Sequence, residues 1–308
     1  MPFSNKTTIL FDISHNEMLT PTATVENEYA DFVDLLRNLN VEIKKNEDSE
    51  ITKDLLEHSD ILIIGNPVNE FFSKGEITAI VEFVRHGGSL LLVSEYGADY
   101  LQKTNLNDIG ATNFNILLES NIIKEKNEIN QEGTSIITIR AFPKHKTTKQ
   151  LREIIVGGTC SFVLHKEAVP LLTLSKSAWS EKYNESKSDW EEEERKEKYI
   201  IAACSAFGSG KVAAIGDVDI FSNDPNFGIN KLDNRKFITN LIRWLREPIE
   251  DNKVIDWTLR KISNLEGKID TINGKINNII ETISFLEKRI SRMEGAVTLL
   301  KEQSKVDF

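Results

Sequence analysis

The chain has 308 residues, and its 48 acidic against 38 basic side chains give a formal net charge of −10 at neutral pH. That length has room for one large or two small domains plus an extension, and the acidic balance argues against nucleic acid as the main partner, because phosphate binding needs a basic face. No apolar run approaches a bilayer span; the longest candidate, around Tyr199 to Phe207, is broken by Cys, Ser and Gly.

The N-terminus enters a strand-like run almost at once, with no charged-then-apolar leader, so a soluble cytoplasmic protein is expected. From there to about Ser120, short β-rich runs alternate with helical periods, the pattern of a mainly parallel α/β sheet. Strands are predicted at Thr8 to Ile13, Val41 to Lys44, Asp60 to Gly65 and Ser89 to Ser94. Between the last two, Ser73 and Glu76 form a capping box. Ile77, Ile80, Val81 and Val84 then line one helix face, and Gly87-Gly88 ends it. Ligands in such sheets sit at the carboxyl ends of the strands.

The second half offers strand-like runs at Ser135 to Arg140, Thr159 to Leu164, Leu171 to Leu174, Lys198 to Ala203 and Lys211 to Gly216, then a helix from about Leu232 to Arg246. These are expected to extend the same sheet, in one domain over residues 1–247. Ser180 to Glu197 is almost wholly charged or polar and reads as a solvated loop or short exposed helix. Cys160 and Cys204, both in apolar strand-like segments, read as buried free thiols. Phe207-Gly208-Ser209-Gly210-Lys211 lacks the first Gly and the final Ser or Thr of a phosphate-binding loop and reads as a hairpin turn. No dinucleotide fingerprint follows the first strand. No cofactor is therefore expected, and His58, His86, His145 and His165 show no paired metal-ligand spacing.

Pro248 stops the domain helix and opens a short linker, 248–253, into a predicted helix over 254–304. There apolar residues recur in heptads, with Ile262, Ile269, Ile276, Ile283, Ile290 and Val297 at a and Leu265, Ile272, Ile279, Leu286, Met293 and Leu300 at d. This is the pattern of a coiled coil. Lysine or arginine at g (Lys261, Lys268, Lys275, Arg289) and glutamate at e (Glu266, Glu287, Glu294) favour a parallel pairing, in which g meets e of the next heptad; antiparallel pairing would set like charges together. Ile at both a and d from Ile269 to Ile279 leans toward a trimer, the flanking layers toward a dimer. The expected partner is thus a second or third copy of the chain, with other protein partners open.

Three segments resemble a known family. These are Ile9-Leu10-Phe11-Asp12-Ile13-Ser14-His15-Asn16, the run Gly87-Gly88-Ser89-Leu90-Leu91-Leu92-Val93 before Glu95-Tyr96-Gly97, and Gly208 through Gly216-Asp217 leading to Ile220-Phe221-Ser222. Together with the helix Asn234 to Leu245 they are similar to the class I glutamine amidotransferase-like domains called GIFT. That family includes the N-terminal domain of an intraflagellar-transport subunit and gliding-motility-type ABC-transporter accessory proteins. The resemblance, over roughly the first four-fifths of the chain, implies a flavodoxin-like sheet used for binding or assembly. Where an active relative places a cysteine in a Gly-x-Cys-x-Gly elbow, this chain has Ser94-Glu95-Tyr96-Gly97. A carboxylate cannot replace a thiolate attacking an amide.

Polar residues cluster at the predicted strand ends: Asp12, His15 and Asn16 after the first, Asn66 after the third, Glu95 after the fourth, and Asp217, Asp219, Ser222 and Asn223 after the last. They could bind sugar hydroxyls or a hard cation, and His15 with Asp217 and Asp219 would form a metal constellation only if the first and last segments meet. The leading expectation is a non-catalytic scaffold or adaptor with a possible sugar-like ligand. The rivals are a glycoside or amide hydrolase using Glu95, His15 and Asp217, and a soluble accessory of an ABC transporter.

Overall fold

The computed structural model describes residues 6–22, 28–126, 132–174 and 176–249. In the C-terminal part it describes 258, 262, 265, 268–269, 271–290 and 293–294. The chain divides into two compact units, Met1–Glu250 and Asp251–Phe308.

The first unit runs β1 (Thr7–Asp12), α1 (Ala30–Asn38), β2 (Val41–Asn46), α2 (Lys53–Leu56), β3 (Ile61–Gly65), α3 (Lys74–Arg85), β4 (Ser89–Val93), α4 (Ala98–Gln102) and α5 (Leu106–Phe114). It continues with strands β5 (Ile116–Leu118), β6 (Asn121–Lys126), β7 (Gly133–Thr134), β8 (Ile137–Ile139), β9 (Ile154–Val156), β10 (Phe162–Leu164), β11 (Val169–Leu174), β12 (Trp179–Asn184), β13 (Asp189–Glu192), β14 (Tyr199–Phe207) and β15 (Gly210–Ile215). A 3-10 turn at Asp219–Phe221 and α6 (Asn234–Arg246) close it.

The main sheet has nine strands in the order β2-β1-β3-β4-β15-β14-β10-β5, with β11 also pairing β14. Strands β2, β1, β3, β4 and β15 are mutually parallel; β14, β10 and β11 are antiparallel additions. Every residue of β3 and β4 is buried because helices cover both faces, which is why these strands are unbroken apolar runs. Alternation assigns the faces. Ile9, Phe11, Ile61, Ile63, Leu91 and Val93 pack with Phe32 of α1 and Phe237 and Leu241 of α6. Leu10, Leu62, Ile64, Leu90 and Leu92 pack with Ile80 and Val84 of α3 and Ile109 of α5. The α3 capping box forms as expected, with Ser73 N–H on Glu76 Oε2 at 2.8 Å and Glu76 N–H on Ser73 Oγ at 3.2 Å.

Gly208-Ser209 turns β14 into β15. Gly208 has φ +61°, and a Cβ there would come within 2.4 Å of the Arg85 carbonyl oxygen. The turn is thus pressed onto the end of α3, as a phosphate-binding loop would not be. Lys211 is buried, yet its Nζ donates to the Trp244 and Glu247 carbonyls at the end of α6, where a cation suits the helix dipole.

Three expectations need correction. The second half does not simply extend the main sheet: β13-β12-β6-β7 form a separate four-stranded sheet, and β8-β9 a two-stranded one. The charged stretch after Ser180 is a β-hairpin rather than a loop or helix. Glu181, Lys182, Tyr183 and Asn184 pair with Glu192, Glu191, Trp190 and Asp189, and Trp190 packs against Tyr183 with ring centroids 5.5 Å apart. Aromatic cross-strand pairing overrides the polar composition there. Cys160 precedes β10 instead of lying within a strand, although it is fully buried.

In the second unit, 271–290 form a continuous helix, and residues 262, 265, 269, 293 and 294 are also helical. The a and d side chains from Ile262 to Met293 are 47–64% exposed within the single chain. Val297, Leu300 and the linker 250–253 lie outside the described residues. No helix among the described residues is long and apolar enough to cross a membrane.

Candidate functional site

The strand order reverses between β1 and β3, and open parallel sheets place ligands at the carboxyl end of such a reversal. Here that position is crossed by the chain's own segment. Leu19 N–H donates to the Gly65 carbonyl at 3.0 Å and Met18 N–H to the Asn66 carbonyl at 3.1 Å, so residues 17–19 lie against the end of β3. The predicted polar residues therefore fall into two groups, one at β1 and one at β4 and β15, with β3 and this segment between them.

The first group is Asp12, His15 and Glu17, all buried. Asp12 Oδ1 accepts from Ser14 Oγ and from Asn46 Nδ2, each at 2.8 Å, and Oδ2 lies 2.7 Å from His15 Nδ1. His15 Nε2 lies 3.2 Å from Glu76 Oε1, and its ring stacks on Phe72 with centroids 4.0 Å apart. Burial opposes charge on Asp12, but the bonds from His15 and Glu17 outweigh it and hold the carboxyl below its ordinary range. His15 likewise overcomes burial, because Asp12 and then Glu76 favour the imidazolium and raise it. Burial together with the adjacent Asp12 pushes Glu17 up to about 10. The arrangement thus favours an ionised Asp12 and an imidazolium beside a protonated Glu17.

The second group is Glu95, Asp217 and Asp219. Glu95 accepts from Tyr96 N–H and Val218 N–H, both at 3.1 Å; Asp217 accepts from Gly157 N–H and Asp219 N–H, both at 2.9 Å. Burial and then the charges of Asp217 and Asp219 raise Glu95 well above the carboxylate range. Burial, opposed by Gly157 N–H and reinforced by Asp219, pushes Asp217 up to about 8, and half-exposed Asp219 reaches about 6. The three carboxylates therefore disfavour one another's ionised forms.

His15 thus joins Asp12, Glu17 and Glu76, while Asp217 and Asp219 join Glu95. The donor atoms within each triad, Asp12–His15–Glu17 and Glu95–Asp217–Asp219, lie within 4.8 Å of one another, so either could chelate an ion. The remaining predicted residues serve local structure. Asn16, with φ +55°, donates to the Val68 carbonyl; Ser222 Oγ accepts Asp224 N–H at 3.2 Å; Asn66 Nδ2 reaches Met18 Sδ at 2.9 Å. Glu17 and Glu76 were missed from sequence. Glu76 was absorbed by its capping role, although a carboxylate has a second oxygen to offer, and Oε1 indeed takes Ile51 N–H as well as His15.

Neither thiol is poised for attack. Burial raises Cys160, with the Glu95 charge adding to it. Cys204 lies 3.9 Å from His145 Nε2, but burial pushes the thiol up to about 12 while burial, Lys211 and Lys146 push the imidazole down. That pair is neutral, not a thiolate–imidazolium.

A family profile described as "Domain of unknown function (DUF4350)" matches residues 26–242. Among solved structures, the "mmIFT52 N-terminal domain" superposes with a TM-score of 0.62 at 18% identity, covering 78% of this chain and 97% of that one. Cytoplasmic protein STM1381 from Salmonella typhimurium LT2 gives 0.51 at 13% identity, covering 78% of this chain and 100% of its own. Cytoplasmic protein STM3548 from Salmonella typhimurium gives 0.51 at 12%, covering 79% and 100%. At these identities the likeness concerns the fold. No curated protein matches the chain by sequence.

Proposed function

The chain belongs to the DUF4350 family, a domain of unknown function, and from that premise we propose that it is a non-catalytic assembly protein: a GIFT-like, flavodoxin-like α/β domain displayed in several copies on a parallel coiled coil. The observation that carries the reading is the apolar row from Ile262 to Met293. These side chains are about half exposed in the single chain, and a helix that left such a row in water would forgo roughly 1.5–3 kcal/mol per large side chain. A second copy in parallel register would cover the row and bring Arg289 beside Glu294 of its partner.

The catalytic reading has less support. The elbow position holds Glu95, whose oxygens are occupied by backbone N–H groups. His15, which a hydrolase would need beside Glu95 and Asp217, is engaged with Asp12 and Glu76. The half-open edge at Asp219 is where this domain would take a small polar ligand, a sugar included. A cytoplasmic setting suits two unpaired buried thiols, and the two Salmonella proteins of similar fold are described as cytoplasmic.

Light scattering on the full chain and on an Ile276→Asp/Ile279→Asp variant tests the assembly. The native chain should be a dimer or trimer at micromolar concentration, and the variant a folded monomer, because the substitutions bury charge at adjacent seam layers. A monomeric native chain refutes the reading.

A further inference from the structure

His15 meets carboxylates on both sides of its ring, and the two sides differ. On the Nε2 side stands Glu76, fixed in place because its oxygens also take Ser73 N–H and Ile51 N–H. A metal-ligating histidine commonly gives its remote N–H to such an anchored carboxylate, which sets ring orientation and raises basicity at the other nitrogen. Phe72, stacked at 4.0 Å, fixes the ring plane. On the Nδ1 side stand Asp12 and Glu17. Asp12 is held through Oδ1 by Ser14 and Asn46, leaving Oδ2 turned toward His15. Glu17 is held through Oε2 by the His15 backbone N–H at 3.0 Å. Its other oxygen, Oε1, is buried on a residue only 5% exposed and receives no hydrogen bond; the side chain's other neighbour is the Asp12 carboxylate.

Asp12, His15 and Glu17 each offer one atom to a space in which all three lie within 4.8 Å of one another. An ion bound at about 2.0–2.2 Å needs donors no more than about 4.4 Å apart, which the 4.8 Å upper limit approaches to within a few tenths of an ångström. The geometry points to a divalent transition-metal site formed by Asp12 Oδ2, His15 Nδ1 and Glu17 Oε1, with Glu76 behind His15, at the carboxyl end of β1. One imidazole and two carboxylates suit zinc or manganese rather than a thiophilic ion, and three protein ligands leave at least one coordination position for water or a further ligand. The site lies at the end of β1, beside the strand-order reversal that the segment carrying Glu17 crosses. The Glu95, Asp217 and Asp219 cluster lacks these features: it has no nitrogen donor, and Glu95 and Asp217 spend both oxygens on backbone N–H groups.

The full-length protein, stripped with chelator, is titrated calorimetrically with ZnCl2 and separately with MnCl2, and crystals soaked in each salt are measured at the metal's absorption edge. One ion per chain is expected, with an anomalous peak between His15 and Glu17. Glu17→Gln should weaken binding by about tenfold or more, while Asp219→Asn leaves it unchanged. The proposal is overturned if neither salt binds stoichiometrically and the space is filled by a proton shared between Glu17 and Asp12, if the peak lies at Asp219, or if Glu17→Gln changes affinity by less than about threefold. The anomalous map needs no variant, so a misfolded Glu17→Gln protein would not leave the question open.

Discussion

Replacing Gly65 by alanine should cost far more than its size suggests, because the segment crossing β3 depends on the missing side chain. A Cβ at Gly65 would lie 2.5 Å from Leu19 Cβ and 3.0 Å from the Leu19 carbonyl oxygen. Carbon atoms in contact sit about 3.5–4.0 Å apart, so the segment must retreat by about 1 Å. Overpacking of that kind costs about 1–3 kcal/mol. The retreat also strains the bonds from Leu19 N–H to Gly65 and Met18 N–H to Asn66, each worth about 0.5–1.5 kcal/mol. Reduced freedom of the unfolded chain returns about 0.4–1 kcal/mol. A net loss of about 2–4 kcal/mol follows, a large share of the ~5–15 kcal/mol that holds a domain folded. Gly75→Ala is the internal control. It lies in the first turn of α3 with Ser73 Oγ as its nearest neighbour at 3.7 Å, so alanine there meets ordinary contact and should stabilise by about 0.5–1 kcal/mol. Urea unfolding followed by tryptophan fluorescence compares them. If Gly65→Ala unfolds no earlier than Gly75→Ala, the account of the crossing segment is wrong.

The parallel half of the domain was legible because each local signal pointed the same way. Runs such as Ile61-Leu62-Ile63-Ile64, short, rich in β-branched residues and ended by Gly65, read as strands buried on both faces, and Ser73 with Glu76 marked the start of α3 to the residue. The hairpin at Trp179–Glu192 was not legible. Its polar residues mask an alternation of Trp179, Glu181 and Tyr183 that matters only once Trp190 arrives from the opposite strand. Of the candidate site, the strand-end residues were visible, but their grouping was not. Whether His15 faces Asp217 or Glu17 depends on where the chain after β1 turns, and that is decided by contacts between residues 17–19 and β3 that have no local signature. The heptads, by contrast, are read without tertiary context, and the helix over 271–290 is what such a repeat requires of a single chain.

Both thiols should resist a thiol reagent in the folded protein and react only as fast as the chain unfolds, since burial raises Cys160 and Cys204; rapid native labelling of either would refute their assignment as inert core groups. Glu76→Ala should destabilise by about 2–4 kcal/mol in urea titration, because it orphans Ile51 N–H and the His15 imidazole at once, and a loss below about 1 kcal/mol would contradict that. The acidic cluster, finally, gives stability a pH dependence of definite sign. Asp217 at about 8 and Asp219 at about 6 keep protons that the unfolded chain, with aspartate near 3.8, has already released. The folded state thus binds more protons between about pH 4 and pH 8, and stability contributed by the cluster must fall as pH rises through that window. Raised His15 acts in the same direction above its ordinary value of 6.5, whereas lowered Asp12 and Glu76 lose their contribution only in acid, so a single-site comparison is needed to isolate the cluster. Asp219→Asn supplies it: removing the half-exposed charge that raises both Glu95 and Asp217 should add on the order of 1 kcal/mol at pH 8, after allowance for solvent screening, and little at pH 4. Urea midpoints for both proteins at the two pH values decide it, and an equal gain at both, or a loss at pH 8, would mean that the three carboxylates are not sharing protons in the folded chain.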